Sequence, residues 1–64
     1  MSNTNEQLKE QYEVFLAEDA KFTAGNSAAG TRSRKALGEM SKLIKARRTE
    51  ITEEKNARKA AKSA

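Results

Sequence analysis

The sequence predicts an all-α protein, an antiparallel two-helix hairpin that assembles into a dimeric or higher helical bundle. Three observations carry that prediction. Proline is absent and glycine occurs three times in 64 residues, while Ala, Glu, Lys, Leu and Arg are plentiful, so the composition is helical. Apolar residues recur at helical spacing on both sides of a single Gly-Asn break. A chain this short buries only about 60% of its unfolded surface. With no cysteine and no histidine, neither a disulfide nor a thiolate or imidazole metal site can make up the difference, so a second chain is the stabiliser left.

The first helix is expected over about residues 5–24. Thr4 or Asn5 is a suitable N-cap, and Thr4 with Gln7 has capping-box spacing. Leu8, Tyr12, Phe15, Asp19 and Phe22 step by four, three, four and three and form the seam of an amphipathic helix, with Leu16 widening it. Glu6, Glu10 and Glu13 fall on the opposite face, and Val14 falls off the seam. Gly25 and Asn26 form the turn. Glycine supplies a left-handed C-terminal cap, and Asn26 caps the second helix. Gly30 leaves open whether that helix starts at Ser27 or Thr31; Ala28 and Ala29 favour Ser27.

The second helix is expected over about residues 27–58, with residues 59–64 as a frayed basic tail. Its apolar face is Ala29, Ser33, Ala36, Leu37, Met40, Leu43, Ile44 and Ile51. At 1.5 Å per residue the two helices span roughly 30 and 48 Å. A hairpin about 25–26 therefore sets Phe22 near Ala28 and Ala29, Phe15 near Ala36, and Leu8 near Leu43. Ile51 is left with nothing of its own chain to cover it. Leu37, Met40, Ile44 and Ile51 are thus the expected interface of a homo-oligomer, a dimer or tetramer.

Charge is divided along the chain. Thirteen Lys and Arg stand against nine Asp and Glu, a net of +4. Residues 1–24 carry two cations and five anions, −3, and residues 25–64 carry eleven cations and four anions, +7. Such a basic half calls for a polyanion. No apolar run reaches membrane-spanning length and no secretory leader opens the chain, so a cytoplasmic protein is expected, without a membrane partner. Without histidine or cysteine, and with no defensible carboxylate pair, the expectation is no catalysis, no metal, no cofactor and no small-molecule substrate.

Arg32, Arg34 and Lys35 form the densest basic cluster. At about 100° per residue, Arg34, Lys45, Arg48 and Lys59 share one strip of the second helix, with Lys35 and Lys42 beside it. Arg32, Arg34, Lys35, Lys42, Lys45 and Arg48 are therefore the candidate contacts to duplex phosphates. Local pairs such as Glu39 with Lys35, or Glu50 with Arg47, would instead make this an ordinary solvated face. Asp19 is placed to pair with Arg32 or Arg34 across the hairpin, and Arg47 projects onto the apolar face. Gly25, Asn26, Ser27 and Thr31 lie at a helix N-terminus, where free amides favour a phosphate. Turn chemistry alone explains them equally well. Tyr12, Phe15 and Phe22 have the spacing of core residues rather than base-stacking ones.

The run Phe22–Leu37, FTAGNSAAGTRSRKAL, resembles the bacterial linker-histone-like proteins, the chlamydial histone-like nucleoid protein and its short bacterial and phage relatives. Their helix-joining segment is of the type Lys-Gly-Asn-x-Ala-Ala-Gly-x-Arg-x-Arg-Lys. Gly25, Asn26, Ala28, Ala29, Arg32 and Arg34 match it, with Lys35 beside them. Ala24 replaces a charged residue, and the long basic tail of the chlamydial protein has only Lys55–Ala64 as its counterpart. The resemblance implies sequence-independent binding and compaction of double-stranded DNA in the nucleoid. Two other classes fit the residues: a coiled-coil adaptor whose Leu37, Met40, Ile44 and Ile51 stripe docks a partner helix, and an RNA-binding protein.

Overall fold

A computed structural model describes residues 3–63 and contains, among them, two helices and no strand. Helix α1 spans Asn3–Thr23 and helix α2 spans Ser27–Ser63, 21 and 37 residues. Residues 1, 2 and 64, which the sequence assigns to the hairpin and its tail, lie outside the described residues. At about 1.5 Å per residue α2 is roughly 56 Å long. That accounts for the longest extent of the molecule, 59 Å, against 15 and 13 Å across.

Both helices run further than their sequence signals indicate. Helix α1 already includes Thr4, so Thr4 is not its N-cap, and its hydroxyl reaches across the hairpin to donate to Glu50 Oε2 at 2.6 Å. Helix α2 passes Arg58 and continues to Ser63, where fraying is expected. The reason is composition: Ala57, Ala60 and Ala61 with unbranched lysines favour helix, and no glycine or proline interrupts them. Arg58 Nε also donates to Glu54 Oε1 at 2.9 Å, an i,i+4 pair along this end.

The turn is built as a glycine-closed helix end. Asn26 N–H donates to Lys21 O at 3.0 Å and Gly25 N–H to Phe22 O at 2.9 Å. These are the two bonds of a Schellman motif. The motif needs a positive φ at the residue after the cap, and Gly25 has φ of 113°. Asn26 Oδ1 then accepts from Ala29 N–H at 3.2 Å and caps α2. Ala24, Gly25 and Asn26 are the whole connection, so the helices must be antiparallel neighbours.

Small side chains make the contact between them. Ala29 and Ala36 are the buried apolar residues of the described chain, and Ser33 between them is buried as well. Met40, Leu43, Arg47 and Glu50 continue that face of α2 half-buried. On α1 the inward positions are Thr4, Leu8, Gln11, Phe15, Glu18 and Asp19. This corrects the predicted seam. Tyr12 and Phe22, expected in the core, are 49% and 53% exposed. Tyr12 projects about 60° round α1 from Phe15 and lies along the side, stacked on that ring. Phe22 lies against Gly30, where an added Cβ would stand 2.7 Å from its Cδ1.

Because Gly25 carries the one backbone conformation here that an L-residue resists, Gly25→Ala is expected to destabilise the hairpin by about 1–3 kcal/mol. In a domain this small that lowers the thermal midpoint by at least roughly 5 °C. Circular dichroism melts of the two proteins check it, with Gly38→Ala, whose added Cβ meets no neighbour, expected to be neutral or stabilising.

Candidate nucleic-acid interface

The outward face of α2 follows from its inward one. Ala29, Ala36 and Leu43 fix the side turned to α1. At about 100° per residue, Arg34, Lys45, Arg48 and Lys59 project on the opposite side, within about 40° of Arg34. Gly38, Ser41 and Thr52 fall on the same strip, so the cations are separated by small residues. The α2 carboxylates Glu39, Glu50, Glu53 and Glu54 all project about 100° or more from Arg34. The line from Arg34 to Lys59 therefore carries cations, with Glu53 at its margin beside Lys45 and Arg48.

Pairing supports that. Arg34, Lys35, Lys45 and Arg48 are exposed and have no ion pair or side-chain hydrogen bond among the described residues. Thr49 and Thr52 turn their hydroxyls back to Lys45 O and Arg48 O, at 3.2 and 3.0 Å. Lys45, Arg48, Thr49, Thr52 and Glu53 border a shallow open depression on this side of the helix. Lys42 differs slightly: it makes a loose, exposed pair with Glu39 at 3.7 Å. It is Lys42, not Lys35, that meets Glu39. In water such a pair is worth little and a phosphate can displace it.

Arg32 stands apart from the other five candidates. Its Nε donates to Glu18 Oε2 at 2.7 Å, linking α2 to α1, and Lys21 approaches the same carboxylate at 3.6 Å. The expected partner Asp19 is not used. Glu18 is the nearer residue because it faces the side of the hairpin onto which Arg32 projects, while Asp19 faces the other side, in a groove shared with Phe15, Phe22 and Leu37. The Arg32 hydrogen bond holds the Glu18 carboxyl below its ordinary value, against a smaller opposing effect of burial. Arg32 thus clamps the hairpin.

A second clamp closes the open end. Thr4 donates to Glu50, and Arg47 Nη1 donates to the other carboxylate oxygen of Glu50 at 3.0 Å. Arg47 is thereby held within its own chain. Sequence reasoning missed Thr4; the signal available was its place one step of four before Leu8 on the inward face of α1.

The turn is a poorer anion site than its sequence suggests. The Gly25 and Asn26 amides are engaged inside the Schellman motif, and the Asn26 side chain caps Ala29. Of the four turn candidates, only Ser27 and Thr31 keep side chains outside these bonds. Among the described residues no cluster of three or more metal-ligating side chains occurs, and no helix is long and apolar enough to cross a membrane.

The fold and its outward face define a small basic helical hairpin with a line of exposed cations along its longer helix. The family model described as histone H1-like protein Hc1 matches residues 2–57 of the chain, and the protein belongs to that family. It is a DNA-binding, histone-like protein, in a family that is structural rather than catalytic and located with the nucleoid. No curated protein and no solved structure matches significantly.

The Glu18–Arg32 clamp gives a pH dependence of known sign. A carboxylate whose folded pKa is depressed adds stability above its unfolded value and loses it as pH falls through the folded one. Acid melts between pH 7 and pH 3 should show the wild type losing more stability than Glu18→Gln. The Arg32→Ala protein should show the same flattened pH dependence.

Proposed function

We propose that the protein binds double-stranded DNA without sequence preference, through phosphate contacts from Arg34, Lys35, Lys45 and Arg48, with Lys42 joining at the edge. The observation that carries this reading is the outward face of α2: Arg34, Lys35, Lys45 and Arg48 are exposed and have no ion pair among the described residues, with Glu53 as the carboxylate at their margin. A straight helix face of this kind can lie along the phosphates bordering a groove. Arg34 and Arg48 each offer a planar fork that grips one phosphate through two hydrogen bonds. Between the cations Gly38, Ser41, Thr49 and Thr52 are short, and the threonine hydroxyls already donate to the backbone, so the arginine forks have no base-reading side chains beside them. Phosphate contacts position a protein on DNA and carry no sequence information directly. Architectural binding, with compaction as its result, follows from attachment at many equivalent sites.

The family match agrees with DNA as the polyanion, and favours it over the RNA and adaptor readings. The Lys55–Lys62 end adds a further positive field beyond the body of the hairpin.

Titrations of unrelated duplexes over a range of salt test the reading. With four to five phosphate contacts per chain, each bound chain should contribute about −4 to the log–log slope of affinity against salt, at about −0.9 per contact. Arg34→Ala with Arg48→Ala should weaken binding to every duplex alike and reduce the slope by about 2, with helicity unchanged. Arg32→Ala should instead lower the melting point and leave the slope nearly intact. Sequence-dependent losses, or a slope unchanged in the double variant, contradict the assignment.

A further inference from the structure

One side of the hairpin is apolar and the other is not. Leu37, with Phe15, Phe22 and Gly30, lines an open groove of about 500 Å³ where the helices meet, with Asp19 and Arg34 also on its wall. Tyr12 stacks beside Phe15, centroids 6.4 Å apart. Tyr12, Leu16 and Phe22 on α1, and Leu37, Ile44 and Ile51 on α2, each remain 45–53% exposed. The groove on the other side is bordered instead by Gln11, Val14, Arg32, Lys35 and Glu39. Leu37, Ile44 and Ile51 are spaced by seven, so they drift only about 20° per step and form one line along α2.

The area involved is that of an interface. The chain exposes 5280 Å². A compact monomer of its mass, 7.1 kDa, exposes about 4,100 Å². The surplus follows from the slender shape, 59 by 15 by 13 Å, and leaves room for the roughly 800 Å² that each partner contributes to a standard stable interface.

We propose that a second copy of this chain covers this side, with the two α2 helices antiparallel on a two-fold axis at Ile44, so that both basic strips form one DNA-binding face. The register comes from the residues. Ile44 is the centre of the Leu37–Ile51 line and lies beside the middle of α2, which runs from Ser27 to Ser63. Antiparallel pairing there sets Leu37 against Ile51 of the second copy, twice. It lays the part of each α2 beyond Glu50, which has no α1 beside it, along the turn half of the other hairpin and its Phe15–Phe22 groove. Charge agrees. Ser33 and Lys55 are equally far from Ile44, so Lys55 of the second copy comes level with Ser33 and its groove neighbour Asp19. Neither Asp19 nor Lys55 has an ion pair in its own chain among the described residues. Parallel pairing would instead crowd the two Lys55–Lys62 ends together.

A two-fold axis beside Ile44, parallel to the direction from α1 to α2, leaves the outward direction unchanged. The Arg34–Arg48 strips of both copies then face the same way, and Glu6, Glu10 and Glu13 of both face the other. This inference rests on the strip as the DNA contact, but its geometry can be tested without DNA.

The chain has no cysteine, so introduced thiols report unambiguously. Under mild oxidation Ile44→Cys should cross-link to itself as a dimer. Leu37→Cys and Ile51→Cys should not cross-link alone but should when mixed. Self-cross-linking of all three would overturn the antiparallel register. A one-chain mass for the wild type by sedimentation, at the concentration of the binding assay, would overturn the interface. The cross-linked Ile44→Cys dimer should bind duplex with about twice the salt slope of the monomeric Ile44→Asp variant, about −7 against about −3.6 for four contacts per chain. Should Ile44→Asp not fold, wild type diluted to the one-chain mass replaces it. Equal slopes would overturn the shared face. If the cross-linking pattern holds while Arg34→Ala with Arg48→Ala leaves DNA binding intact, the assignment of the strip fails and the shared face falls with it, and only the pairing geometry stands.

Discussion

The close approach of α2 to α1 over Ala29, Ser33 and Ala36 is the constraint on which the rest of the molecule depends. Small residues spaced by four and three let the helix axes come together, and the three-residue turn holds them there. The consequence is a thin core. Each buried methyl or methylene contributes about 0.8 kcal/mol, so two alanines add little beside the conformational entropy of ordering the chain. Specific polar clamps accordingly mark both ends of the contact, Glu18 with Arg32 near the turn and Thr4 with Glu50 and Arg47 at the open end. The larger apolar side chains gather along one side.

The same constraint directs the charges. Once Ala29, Ser33 and Ala36 face α1, the helical period sends Arg34, Lys45 and Arg48 to the far side and turns Glu39, Glu50 and Glu54 away from them, with Glu53 at the margin. On α1, Glu6, Glu10 and Glu13 point out from the other face of the hairpin. The acidic and basic halves of the sequence thus become opposite faces of one slender object. An elongated basic face suits a polyanion with regularly spaced charge, and the small residues between its cations let a phosphate backbone approach.

Much of this was legible in the sequence, for definite reasons. The turn was legible because Gly25 and Asn26 each have one strong local role, the positive φ and the cap. The cross-hairpin register came close from counting outward from that turn: Phe22, expected near Ala28 and Ala29, lies against Gly30 just beyond them. The family was legible in the Gly25–Lys35 segment. The parts that were not legible depend on rotation about the helix axis. A small rotation of the packing face moves Gln11 and Glu18 inward and Tyr12 outward, while Phe22, on the same side of α1 as buried Thr4, stays exposed at the turn end, where it lies against Gly30. Spacing alone scores both seams alike, and hydrophobicity favours rings inside. Glu18 rather than Asp19 as the arginine partner, and Thr4 as a bridge rather than a cap, are further results of that rotation and of the longer first helix.

The most direct measurement of the central claim is amide and side-chain chemical-shift mapping of the labelled protein with a short duplex of arbitrary sequence. The account predicts shift changes along the outward face of α2, from Arg34 through Lys45 and Arg48 to Thr52, with Glu6, Glu10 and Glu13 of α1 unmoved. Changes confined to Lys55–Lys62, or to the turn at Gly25–Ser27, would contradict it.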